Sequence, residues 1–189
     1  MNIYLIGYRA TGKTTVGQKL AQKLGRRFVD ADQYLESMAK MTVSKIVATY
    51  GWDEFRRREM EGIALLSDMK DIVAATGGGA VLNSENIQTL KRTGRIIWLQ
   101  ADAETIISRM EKDHKTKTLR PPLLNDAASA ADEVKKTLAH RMPLYQKASH
   151  ATINTDKKSV TEICDQILQY LLKEALSISP GENKPDCHP

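Results

Sequence analysis

Residues 7–15 read GYRATGKTT, and the template G-x-x-x-x-G-K-[ST] runs through them over 7–14. An apolar run, "IYLI", precedes the stretch and an amphipathic segment, "TTVGQKLAQKL", follows it, so the motif sits between a strand and a helix. In that setting the glycines let backbone amides approach an anion closely, and the helix amino terminus adds positive potential. Lys13 is placed to reach the β- and γ-phosphates, and the Thr14 hydroxyl to ligate magnesium. Gly7, Ala10, Thr11, Gly12, Lys13, Thr14 and Thr15 form the expected nucleotide-binding set from this loop. A turn that merely joined strand to helix would not need Lys and Thr in register. The reading is therefore a bound nucleoside triphosphate.

Outward from the loop, the short apolar runs "RRFV", "DIVAA", "RIIWLQ" and "ATIN" alternate with longer segments of helical periodicity. Such alternation predicts a parallel sheet with helices on both faces. The 189 residues suffice for one domain, and 41% hydrophobic with 27% charged residues argues against a disordered chain. Several boundaries have a chemical cause. Gly25 ends the first helix, Thr42 is a candidate N-cap for a short helix closing at Gly51, and Ser159 with Glu162 has capping-box spacing. The stretch 112–126, "KDHKTKTLRPPLLND", reads as a long basic loop of the kind that acts as a lid. A single domain is expected over 1–173, with a disordered tail over 174–189.

No run reaches membrane-spanning length, and "MNIYLIG" lacks the layout of a secretory signal, so a cytoplasmic protein is expected. Cys164 and Cys187 read as free thiols, and Cys187 beside His188 lacks a second ligand pair for zinc. A formal charge of +5 spread along the chain, with 5% aromatics, gives no nucleic-acid module. Among triphosphate binders, a guanine switch is disfavoured because "NKPD" at 183–186 lies in the tail with no strand before it. A mechanical ATPase would show a strand ending in Asp-Glu. A kinase for a small acceptor remains.

"FVDADQYLE" sets Asp30 and Asp32 two apart at the carboxyl end of the second strand, where ligands of open α/β sheets bind. An adjacent strand would bring Asp30 to the phosphate loop and its magnesium, leaving Asp32 to bind acceptor hydroxyls; the competing use of either is to cap the next helix. Gly77, Gly78 and Gly79 end the third strand and permit backbone close to a substrate. In "FRRRE", residues 55–59, Arg56 and Glu59 are three apart and share a helix face. Arg57 and Arg58 point elsewhere and read as solvated charges.

The phosphate loop, D-x-D, F-R-x-x-E, the triple glycine, R-P in a basic loop and "RMPLY" occur in an order that resembles the shikimate kinases, across about residues 1–172. The resemblance implies an α/β, three-layer P-loop NTPase fold of the nucleoside-monophosphate-kinase type, with a central five-stranded parallel sheet and a mobile lid. It implies ATP and shikimate as substrates and magnesium as cofactor, and a lid on a self-contained core is compatible with a monomer. By the same resemblance Asp30 supports the metal with Thr14. Asp32 binds shikimate hydroxyls, Arg56 and Arg141 grip its carboxylate, Glu59 orients Arg56, and Gly77, Gly78 and Gly79 line the pocket. Arg120 reaches over the transferred phosphate from the lid, and Arg109 lies near the adenine. Lys13, Asp32 and Arg120 are the implied catalytic residues. Two departures stand out: Ala10 replaces a usual glycine, and the lid arginine is followed by two prolines. Two competing readings stay open: another kinase of this fold, for gluconate or a nucleotide, and an ATP-binding regulator without turnover.

Overall fold

The computed structural model describes residues 1–112, 123 and 129–178. The strands are β1 (Asn2–Ile6), β2 (Arg27–Asp30), β3 (Ile72–Ala75), β4 (Gly94–Gln100) and β5 (Ala151–Asn154). The helices are α1 (Lys13–Leu24), α2 (Ala31–Ala39), α3 (Val43–Asp68), α4 (Ser84–Thr93), α5 (Ala103–Lys112), α6 (Ala130–Ala148) and α7 (Val160–Ile178). All strand pairs are parallel, in the order β2-β3-β1-β4-β5. The five-stranded parallel sheet expected from the sequence is thus present.

Period-two alternation along β1 separates the layers. Tyr4 and Ile6 join Ile63, Leu66, Leu90 and Tyr145 on the face covered by α3, α4 and α6. Ile3 and Leu5 join Val16, Leu20, Ile163 and Ile167 on the face covered by α1 and α7. Every β1 residue is buried, as expected of a central strand covered on both sides.

The predicted helix boundaries have local causes that the structure displays. Gly25 caps α1 in the left-handed region, its amide donating to Ala21 and Gln22 carbonyls. The Thr42 hydroxyl accepts from the Lys45 amide at 3.2 Å. Glu162 accepts from the Ser159 amide at 2.8 Å while its own amide donates to the Ser159 hydroxyl at 3.2 Å, closing the capping box. Gly51 closes the short helix as expected, and a second helical segment follows it directly. Its φ of 83° and ψ of 175° break the helix, but helical geometry resumes at once and α3 runs on to Asp68. The last helix passes the expected boundary at 173 and ends at Ile178. Among the described residues no helix is long and apolar enough to cross a membrane.

Candidate active site

The phosphate loop joins β1 to α1 at the carboxyl end of the sheet. Lys13 Nζ donates to the carbonyls of Gly7 at 2.9 Å and Tyr8 at 2.7 Å, and Thr11 Oγ1 donates to Tyr8 O at 2.9 Å. Gly12 is the N-cap of α1, and no side chain caps it, so the first-turn amides face the loop's cavity without a built-in acceptor. That cavity, about 210 Å³, is lined by Lys13, Thr14, Thr15, Asp30 and Thr76 among others. Ala10 has φ of 60°, the left-handed conformation that explains why glycine is usual there. Arg109 ties the loop down: it donates to Ala10 O at 3.3 Å, Thr155 Oγ1 at 3.1 Å and Thr155 O at 2.8 Å.

Asp30 caps α2 and also reaches the phosphate loop. Oδ1 accepts the amides of Asp32 and Gln33 at 3.1 and 3.3 Å, capping α2, and Oδ2 accepts Thr14 Oγ1 at 2.9 Å. The expectation that the strand bearing Asp30 adjoins β1 is corrected, because β3 lies between them. Asp30 reaches Thr14 from the end of β2, and the side chains close the gap. Thr14 and Asp30 offer two hard oxygens on a phosphate-binding cavity, which suits magnesium completed by phosphate and water oxygens. Among the described residues no cluster of three or more His, Cys, Asp or Glu could hold a metal unaided.

A second cavity, about 280 Å³, adjoins the first. Its floor is the triple glycine. A β-carbon on Gly77 would lie 2.7 Å from Glu59 Oε1 and 2.8 Å from Asp32 Oδ1, and one on Gly79 would lie 2.3 Å from Arg56 Nη2. Absent side chains therefore let two carboxylates and a guanidinium converge on backbone. Arg56 Nη1 donates to Glu59 Oε2 at 2.5 Å, as their spacing predicts, and its guanidinium lies 5.0 Å from the Phe55 ring and 5.3 Å from Trp52. Glu59 is only 5% exposed, and burial pushes its carboxyl above the usual range although Arg56 pulls the other way. Its Oε1 accepts no hydrogen bond among the described residues. From α6, Arg141 Nη1 and the Tyr145 hydroxyl both donate to Gly78 O, at 3.1 and 2.6 Å. Burial raises the Tyr145 phenol too, so it stays a donor.

Arg57 is exposed and keeps the solvated reading, whereas Arg58 is half-buried with its guanidinium 5.3 Å from the Tyr50 ring. Both bond Glu54, and Arg57 also pairs with Glu61. These arginines hold the half-buried Glu54 carboxyl down to about 2. Arg120 and most of the expected lid lie outside the described residues.

The sequence reading missed Arg9, Glu133 and Trp52. Arg9 Nη2 donates to Glu133 Oε1 at 2.7 Å, and Arg9 lines both cavities. Position 9 is a free position of the phosphate-loop template, and Glu133 is one charge among several on an amphipathic helix, so neither carries a local signal. Trp52 follows the helix-breaking glycine and is marked only by being aromatic in an aromatic-poor chain.

Residues 9–172 match the family described as shikimate kinase. A shikimate kinase of Symbiobacterium thermophilum is 42% identical over 171 residues, 90% of this chain and 96% of that protein. One from Syntrophus aciditrophicus is 37% identical over 183 residues, 94% of each. Among solved structures, the shikimate kinase of Acinetobacter baumannii in complex with shikimate superposes with a TM-score of 0.85 at 34% identity, covering 93% of this chain and 94% of that one.

Proposed function

The chain belongs to the shikimate kinase family, and from that premise we propose that it moves the γ-phosphoryl group of ATP to the 3-hydroxyl of shikimate, giving shikimate 3-phosphate and ADP for aromatic amino acid biosynthesis through chorismate. The observation that carries this reading is the pair of guanidiniums at the triple glycine: Arg56 against Gly79 and Arg141 on Gly78 O, in a cavity beside the phosphate loop. Two arginines around one small cavity suit a carboxylate, which a guanidinium binds bidentately. Glu59 holds Arg56 in position, and Gly77, Gly78 and Gly79 give the substrate backbone contacts.

In-line transfer needs alignment and charge neutralisation more than covalent help from the protein. Asp32 orients the 3-hydroxyl, whose oxygen forms the new bond to phosphorus while the bond to the β,γ-bridging oxygen breaks and its electron pair leaves with ADP. The hydroxyl proton passes to Asp32 or to water. Lys13 and Arg120 neutralise charge on the transferred group, and Arg109 sits toward the adenine. Thr14 and Asp30 would hold magnesium, which supplies charge neutralisation at the β- and γ-phosphates. The segment 112–126 acts as the lid that excludes water. On this reading the enzyme works as a cytoplasmic monomer, its core and lid forming one self-contained unit.

The test is ADP release from ATP and magnesium with and without shikimate, repeated with Arg56→Ala. Shikimate-dependent release that collapses in the variant is expected. Release with gluconate or a nucleotide but not shikimate would overturn the acceptor, and no release with any acceptor would leave an ATP-binding regulator.

A further inference from the structure

Four residues line both cavities: Arg9, Thr14, Asp30 and Asp32. They form the wall across which a phosphoryl group must pass, and two of the four are carboxylates. Magnesium held by Thr14 and Asp30 would offset part of that charge, and a protein cation in the same wall would bear directly on a negatively charged group that crosses it. Lys13 lines the nucleotide cavity only, and Arg56 and Arg141 line the acceptor cavity only. Among the described residues Arg9 is the one lysine or arginine that lines both.

We propose that Arg9 binds the phosphoryl group as it leaves the nucleotide and keeps hold of it on the phosphorylated acceptor, with Glu133 as the residue that positions the guanidinium. This rests on the shikimate kinase reading above. The Arg9 and Glu133 side chains are each 10% exposed, so their pair is shielded from screening. Glu133 stands in the first turn of α6, where the helix dipole favours a carboxylate. One of its oxygens takes Arg9 Nη2, and the other accepts the Leu123 amide at 3.1 Å. Glu133 is thereby fixed at both oxygens and holds the guanidinium through a single nitrogen. Among the described residues the Arg9 Nε and Nη1 donate to nothing, which leaves three of the five guanidinium N–H groups for an oxyanion in the cavities. Lys13 lines the nucleotide cavity only, so among the described residues Arg9 is the basic side chain placed to follow the phosphoryl group from one cavity into the other.

A purely structural role, clamping the phosphate loop to α6, would weaken all ligands together. The experiment is calorimetric titration of shikimate, shikimate 3-phosphate and ADP into wild type, Arg9→Met, Arg9→Lys and Glu133→Gln, alongside steady-state kinetics. Arg9→Met is expected to weaken shikimate 3-phosphate about tenfold or more while shikimate affinity changes less than about threefold. Arg9→Lys restores part of the loss. Glu133→Gln lowers kcat several-fold with little change in the KM for shikimate. Because removing one partner of a buried pair can unfold a protein, the double variant Arg9→Met/Glu133→Met, apolar at both positions, is titrated as well, and the same product-selective loss is expected. Equal weakening of shikimate and its phosphate, or unchanged product affinity, overturns the proposal. Wild-type protein that releases no ADP in response to shikimate overturns the underlying function instead, and that control is read separately.

Discussion

In the phosphate loop Lys13 bonds carbonyls five and six residues away, whereas in the acceptor cavity Arg141 bonds the Gly78 carbonyl 63 positions distant. The loop is closed by one short stretch of chain. The cavity exists only after α2, α3, β3 and α6 have docked on one another. Two kinds of sensitivity follow: the loop answers to backbone conformation and to Lys13, and the cavity answers to space and buried charge.

The largest expected effect comes from removing the carboxylate clamp. Arg56→Ala should raise the KM for shikimate about a hundredfold, since charge-assisted hydrogen bonds contribute about 1.5–3 kcal/mol each, and should leave ATP affinity within about twofold. A matching loss of ATP affinity would break the separation of the two regions. Gly79→Ala sharpens the same contrast through space alone. Gly79 has an ordinary φ of −101°, so the backbone tolerates alanine, but the new methyl would displace the Arg56 guanidinium 2.3 Å away. Its KM for shikimate should rise about tenfold, with near-normal thermal unfolding and ATP binding.

Titration gives a third comparison. Burial raises the Glu59 carboxyl, so the ligand-free fold should lose stability as pH rises from the ordinary carboxylate range through that raised value. Function runs the other way. Protonation of Glu59 releases Arg56, so the KM for shikimate should climb a few-fold as pH falls through the same point, while the Kd for ATP, followed in parallel, stays flat. The smallest effect belongs to the loop. Ala10→Gly removes a left-handed alanine and should stabilise by about 0.5–1 kcal/mol, seen as a rise of about 2 °C in Tm with turnover within twofold.

What could be read in advance divides along the same line. The phosphate loop, the Arg56–Glu59 pair and the caps at Gly25, Thr42 and Ser159 are written over spacings of four residues or fewer, or in a fixed local template. The Arg9–Glu133 pair, the Tyr145 bond to Gly78 and the insertion of β3 between β1 and β2 depend on which surfaces dock, and no local pattern encodes them. Gly51 was legible as a helix end, but the Trp52 and Phe55 side chains that restart α3 pack at the edge of the acceptor cavity, a tertiary gain that a boundary rule does not contain. Arg109 is a further case. Its bonds to Ala10 and Thr155 brace the loop against the turn after β5, a bracing that only the assembled sheet creates.

The wall of four residues shared by the cavities also sets a rule for engineering. Arg9, Thr14, Asp30 and Asp32 line both halves, whereas Trp52, Arg56, Glu59 and Arg141 line the acceptor side alone. A redesign for a different small acid would treat Trp52, Arg56, Glu59 and Arg141 as an exchangeable cartridge and the four-residue wall as its fixed socket.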